Sequence, residues 1–153
     1  MAITPNTTFT AGAVLTAAQM NRLPWGIVQY SEKTADQNGI STAVDITDLS
    51  VTWTADSSRY YRISFYLAPI RQNTSAGIVV PVIADGSNNT KVQANLTLAA
   101  GDFGLVTIAE IVTGLSGSIT RKARISTTGG TVDVLAATAT EGNYLIVEDL
   151  GQA

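Results

Sequence analysis

The side chains able to do chemistry in this chain are carboxylates, amines, hydroxyls and phenols, because it contains neither cysteine nor histidine. That removes disulfides, thiolate nucleophiles, Cys/His zinc sites, haem ligation by His and every Ser-His or Cys-His catalytic arrangement. Glu148 and Asp149 are adjacent, and a strand sends neighbours to opposite faces, so they cannot share one substrate as a glycosidase pair does. Asp36, Asp45, Asp48, Asp56, Asp102, Asp133 and Glu141 stand singly in predicted turns or at strand edges, where Asp commonly bonds to nearby backbone. No Gly-x-Ser-x-Gly and no Gly-rich phosphate loop occurs. The expectation is a protein without catalysis or cofactor.

Two polar clusters remain. Asp85-Gly86-Ser87-Asn88-Asn89-Thr90 offers hard oxygen donors that calcium could use, but it lacks the second carboxylate and closing Glu of an EF-hand and reads as a turn. Arg121-Lys122-Ala123-Arg124 divides its cations between two strand faces, as a solvated or salt-bridged strand does. With 9 basic against 12 acidic residues, a net charge of -3 and a pI near 4.7, no nucleic-acid partner is expected. Asp102 and Glu110 interrupt the most apolar stretch, residues 96–115, short of the roughly 18 apolar residues a membrane helix needs, so no membrane insertion is expected. The opening has no basic segment ahead of its apolar residues and does not read as a secretory signal. The Asn-x-Ser/Thr triplets at Asn6, Asn73, Asn88 and Asn95 therefore carry little weight.

The elements that position these residues are strands. At 153 residues one domain is expected. Past Pro24, short runs of β-branched and aromatic residues alternate with Gly, Asn, Asp and Ser clusters, which predicts an all-β sandwich or barrel of nine or ten strands. The predicted strands are residues 25–30, 43–46, 50–55, 59–67, 77–84, 90–98, 103–112, 118–125, 131–137 and 144–148. Within RYYRISFYL, Tyr61, Ile63, Phe65 and Leu67 form an apolar face, and the opposite face carries Tyr60, Arg62, Ser64 and Tyr66. Tyrosines around an arginine compose an interface, which makes Tyr60, Arg62 and Tyr66 the candidate subunit contacts, the alternative being an amphipathic face turned to solvent. In residues 90–98, Val92, Ala94, Leu96 and Leu98 share the packed face.

GIVVPVIA, FGLVTIAEIV and YLIV are apolar on both faces, the pattern of strands buried on both sides. In a two-sheet sandwich that implies an outer face covered by a neighbouring subunit. Pro81 in the first run must sit at an edge or bulge. Charged residues make up 14% of the chain, below the roughly 25% usual for soluble domains, which also favours an oligomer.

Residues 1–23 form a separate arm ahead of a sandwich at 24–153. Thr16-Ala17-Ala18-Gln19 has capping-box spacing, and Pro24 ends the short helix expected there. Phe9, Val14, Leu15, Met20 and Leu23 give the arm enough apolar surface to anchor but too little to fold alone, so it is expected to dock on a surface, that of a virion partner or a sister subunit, the alternative being that it packs across the sandwich of its own chain. Pro24, Trp25 and Gly26 are the expected joint, with Trp25 packed at the sandwich entrance.

TFTAGAVLTAAQMNRLPWGIV, the turn TADQNGIST, VDITDLSVTWTADSSRYYRIS and the terminal YLIVEDLGQA together resemble small virion structural proteins of tailed bacteriophages, of the minor tail or head-decoration type. The resemblance covers both ends and the first third of the chain, and the middle matches in strand pattern. RYYRISFYL also resembles the aromatic core strand of tumour-necrosis-factor-like and complement-like jelly rolls. The resemblance implies a jelly roll displayed on the capsid or tail surface, often as a homotrimer, with the major capsid or tail protein as partner. A second class is open: a receptor- or carbohydrate-binding module of a tail fibre, with Trp53, Tyr60 or Tyr66 stacking on a host surface glycan.

Overall fold

The structure, a computed structural model, describes residues 17–20, 23–138 and 142–153. Eight long strands follow from the predicted runs. They are β1 (Gly26–Glu32), β3 (Val44–Ala55), β4 (Arg59–Gln72), β5 (Gly77–Asp85), the interrupted pair β6 (Thr90–Gln93) and β7 (Leu96–Leu98), β8 (Phe103–Val112), β9 (Gly117–Thr127) and β11 (Tyr144–Gln152). The run predicted at 131–137 yields the short β10 (Val132–Val134), and one short strand is added, β2 (Gln37–Ile40).

The pairing is that of a chain folded once into a long hairpin and then rolled. β1 pairs with β11, β3 with β9, β4 with β8, and β5 with β6 and β7, all antiparallel. Rolling then sets β11 beside β4 and β9 beside β5. The result is two facing sheets, β1-β11-β4-β8 and β3-β9-β5-β6/β7, which is a jelly roll. β2 and β10 extend the first sheet beside the far end of β4.

The core is the space between the sheets. Ile63, Phe65 and Leu67 of β4, Leu49 and Val51 of β3, and Ile83, Ile125 and Leu145 meet there, almost wholly buried. The alternation predicted for RYYRISFYL is the one observed, with Tyr61, Ile63, Phe65 and Leu67 inward. The two strands expected at 43–46 and 50–55 are one, β3. Its register shifts between Asp45 and Ser50, and Asp48 takes the left-handed conformation there (φ 71°). That conformation suits Asp, whose carboxylate accepts the Thr34 N–H and hydroxyl.

Pro81 is not at an edge, since β5 is paired on both sides. It lies opposite the break between β6 and β7, where Ala94 and Asn95 leave the ladder, and its carbonyl accepts the Ala94 N–H at 3.1 Å. The missing proline donor is thus placed where the neighbouring strand is interrupted.

In the arm, α1 spans Ala17–Met20, shorter than expected. It ends before Pro24, with the Leu23 N–H on the Met20 carbonyl at 3.1 Å. Phe9, Val14, Leu15 and Thr16 lie outside the described residues. No helix among the described residues is long and apolar enough to cross a membrane.

Candidate interaction surface

The registers place three rows of side chains across the outer face of the first sheet. One row runs Ile27, Glu148, Arg62, Ile111; the next runs Tyr30, Ile146, Ser64, Ala109; the third runs Glu32, Tyr144, Tyr66, Thr107. Two of the predicted contact residues, Arg62 and Tyr66, lie in these rows, and Tyr60 follows on the same face of β4. Tyr66 stacks on Tyr144 at 5.1 Å between ring centroids, and Tyr30 lies 6.0 Å from Tyr144 on its other side. Arg62 is not a free cation. It donates to both oxygens of Glu148, at 2.7 and 2.9 Å, and this hydrogen bonding raises the guanidinium pKa.

The apolar content of this face is open to water in the single chain. Ile111 is 66% exposed, Ile27 63%, Phe103 60%, Leu105 57% and Tyr30 47%. FGLVTIAEIV was expected to be buried on both sides, and within one chain it is buried on one. Ile108 is inward and Phe103, Leu105 and Ile111 are outward. With Ile27 and Tyr30 included, the exposed area of these side chains sums to on the order of 500 Å², within the range of the largest patches on monomers and of the same order as the roughly 800 Å² each partner contributes to a stable interface. YLIV and GIVVPVIA hold their outward residues half-buried apart from Ile78, which is exposed.

The outer face of the second sheet is built differently. β3 and β9 present Ser50, Thr52, Thr54, Ser118 and Thr120, with the Thr52 and Thr120 hydroxyls 2.9 Å apart. Lys122 and Arg124 both donate to Asp45 at 2.7 Å, while Arg121 turns inward to Glu110, as the division of that cluster predicted. β5 adds Ile78, Val80 and Val82.

Where the arm meets the sandwich, a second feature appears that the sequence reading missed. Arg59, at the start of β4, donates through Nε and Nη2 to the Asp149 carboxylate, and both side chains are almost wholly buried. Nη2 also donates to the Leu23 carbonyl at 2.7 Å, and the guanidinium lies 4.1 Å from the Trp25 ring centroid. The signal was present in one half only. The opposite-face reading of Glu148 and Asp149 is what sends Glu148 out to Arg62 and Asp149 in to Arg59, but the separation of 90 residues hides the partner. Trp25 does not pack at the sandwich entrance; it is 62% exposed, with the guanidinium against it. Gly26 makes the bend, at φ 79°, where a side chain would be strained. Met20 and Leu23 are exposed.

The polar loop at Asp85 is a turn. Its carboxylate accepts the Ser87 and Asn89 N–H groups and pairs with Lys91 at 2.9 Å, and the Lys91 contact, first among these, holds its pKa far below the usual range. Trp53 is buried beside Tyr61 at 5.7 Å, so it cannot stack on a sugar. Among the described residues no three acidic side chains gather as a metal site would need.

No protein-family model matches the chain, and no curated protein matches it. Several solved structures overlay loosely. Dimeric latent PorU from Porphyromonas gingivalis aligns with a TM-score of 0.49 at 11% identity, over 84% of this chain and 13% of that one. The infectious bursal disease virus Gt strain structure aligns at 0.44 and 16%, over 98% and 43%. The enzymatically active domain of bacteriophage CBA120 tailspike protein 4 aligns at 0.32 and 11%, over 77% and 19%. This chain thus spans less than half the length of each. Overlays this loose carry no argument, and the jelly roll rests on the strand order itself.

Proposed function

We propose that the chain is a non-enzymatic structural protein of a tailed-bacteriophage virion, displayed as a capsid decoration or minor tail protein. It self-associates, as a homotrimer, through the outer face of the first sheet, and it docks on the major capsid or tail protein through residues 1–23. The observation that carries the reading is the exposed apolar face, on which Ile27, Ile111, Phe103 and Leu105 are each more than half exposed, the first two flanking a closed Arg62–Glu148 pair and the last two further along β8. Pairing Arg62 with Glu148 removes those two charges from the repulsion that a second copy would otherwise meet on this face. The resemblance at both chain ends supplies the virion assignment. The carboxylates at 45, 85, 133, 148 and 149 are each held by a cation, which supports a structural role for them.

Deleting residues 1–22 tests the docking half. The truncated protein is expected to keep its strand spectrum and oligomeric state while failing to join particles; normal incorporation would refute it. Copies per particle, counted by quantitative gel, then separate the two locations, hundreds for capsid and a handful for tail.

The glycan-binding reading retains one observation in its favour, the cluster of Tyr30, Tyr144 and Tyr66 rings, the first of which is 47% exposed. Specific signal on a glycan array that Tyr30→Ala abolishes would select it.

A further inference from the structure

The root of the arm is more elaborate than a strand start requires. β1 is already fixed by its ladder to β11, beginning at Gly26 opposite Asp149. Yet a nearly buried guanidinium is placed one step before it, and burying an ion pair costs more than packing apolar side chains of the same volume. The geometry uses what only arginine offers. Nε takes one Asp149 oxygen, and Nη2 uses one hydrogen for the other oxygen at 2.6 Å and its second for the Leu23 carbonyl at 2.7 Å. The guanidinium plane also has the Trp25 ring against it. The acceptor is itself fixed from behind, because Asp149 Oδ1 receives the Gly151 N–H at 2.8 Å. Leu23 is the last arm residue, Pro24 has a locked φ, and Gly26 turns the chain into β1, so residues 23–26 form a corner with one orientation.

We propose that Arg59 is an arm-positioning residue. It holds the Leu23 carbonyl so that the arm leaves every copy from the same point and in the same direction. Docking then starts from a pre-set geometry and not from a swivelling joint, which lowers the ordering cost of each contact and lets the arms of an oligomer engage together. The proposal rests on the reading of residues 1–23 as a docking arm, and its test is independent of particles.

Arg22 is the only basic residue in the arm, so trypsin reports on the Arg22–Leu23 bond beside the held carbonyl. In the full-length wild-type protein that bond is expected to be cut at least tenfold more slowly than in a synthetic peptide of residues 12–30; equal rates overturn the proposal. Arg59→Lys keeps a charge for Asp149 but has no planar fork to reach Leu23 and stack on Trp25. Folded Arg59→Lys is expected to be cut at least tenfold faster than wild type. In a Trp53→Phe background, where Trp25 is the remaining tryptophan, its emission is expected to change with the same substitution. Wild-type cleavage and unchanged emission in a folded Arg59→Lys protein overturn the proposal. If Arg59→Lys does not fold, the wild-type against peptide comparison decides alone. A variant that loses the hold yet joins particles normally overturns the claim that docking needs the pre-set geometry, whereas normal incorporation of the protein lacking residues 1–22 refutes the docking reading itself.

Discussion

The two sheets share one core and one alternation, but their outer faces differ, most sharply between β1 and β8 on the first and β3 and β9 on the second. On the second sheet, β3 and β9 send out threonine, serine and the Asp45, Lys122, Arg124 group, side chains that water solvates well. On the first, β8 sends out Phe103, Leu105 and Ile111, β1 sends out Ile27 and Tyr30, and the charged pair between them is neutralised in place. Inner faces of a sandwich must be apolar whatever the protein does, so they teach little about function. The asymmetry lies outside, where folding alone does not call for apolar side chains, and it is what supports the proposal that the first sheet meets a partner.

Substitutions on the inner side of β4 give the largest expected effect. Phe65→Ala is expected to cost about 3–5 kcal/mol in a urea titration, because the ring is fully buried between the sheets. A loss below about 1 kcal/mol would mean that the inner and outer assignments of β4 are reversed. Asp149→Ala comes next. It leaves the Arg59 charge buried without its carboxylate, for an expected loss of about 3 kcal/mol; a near-neutral result would show that water reaches Arg59.

The outer faces are compared directly by placing one charge on each. Ile111→Glu on the first sheet and Thr52→Glu on the second are both expected to change monomer stability by no more than about 0.5 kcal/mol, since both sites are exposed. Only Ile111→Glu is expected to dissociate the oligomer in sedimentation velocity. Equal effects would remove the distinction between the faces.

The smallest effect expected is on pH dependence. Asp45 is held below the usual carboxylate range by its hydrogen bond with Lys122, then by Arg124; Asp48 is held down by Thr34 and Asp56 by Ser58. Carboxyls with depressed folded values stabilise the fold above their unfolded pKa, about 3.9, and that contribution is lost as pH falls through the folded values. With no histidine to titrate, thermal melting is expected to be flat from about pH 5 to 8 and to fall below about pH 4. A step near pH 6.5 would contradict this assignment.

Alternation made much of the fold legible. β8 was read at residues 103–112 and is found there, and β4 was read with the correct face inward. QNGI was read as a turn because Gln, Asn and Gly carry no strand signal, yet β2 forms there. Its ladder to β10 and the bond from the Gly39 N–H to Asp133 at 2.8 Å come from residues more than ninety positions away. The Arg59 site was hidden for the same reason. Bulges were equally opaque, since the shift at Asp48 depends on where β9 lies. Local pattern reveals which face a residue takes, and distant pairing decides what it meets.

The central claim is that the outer face of the first sheet holds copies of this chain together. Light scattering of the full-length protein at micromolar concentration, run beside Ile111→Glu, tests it most directly. The account predicts a wild-type mass three times the 16.0 kDa of one chain, and a monomeric mass for the variant with an unchanged strand spectrum. A monomeric wild-type protein, or an Ile111→Glu protein that remains trimeric, would contradict it.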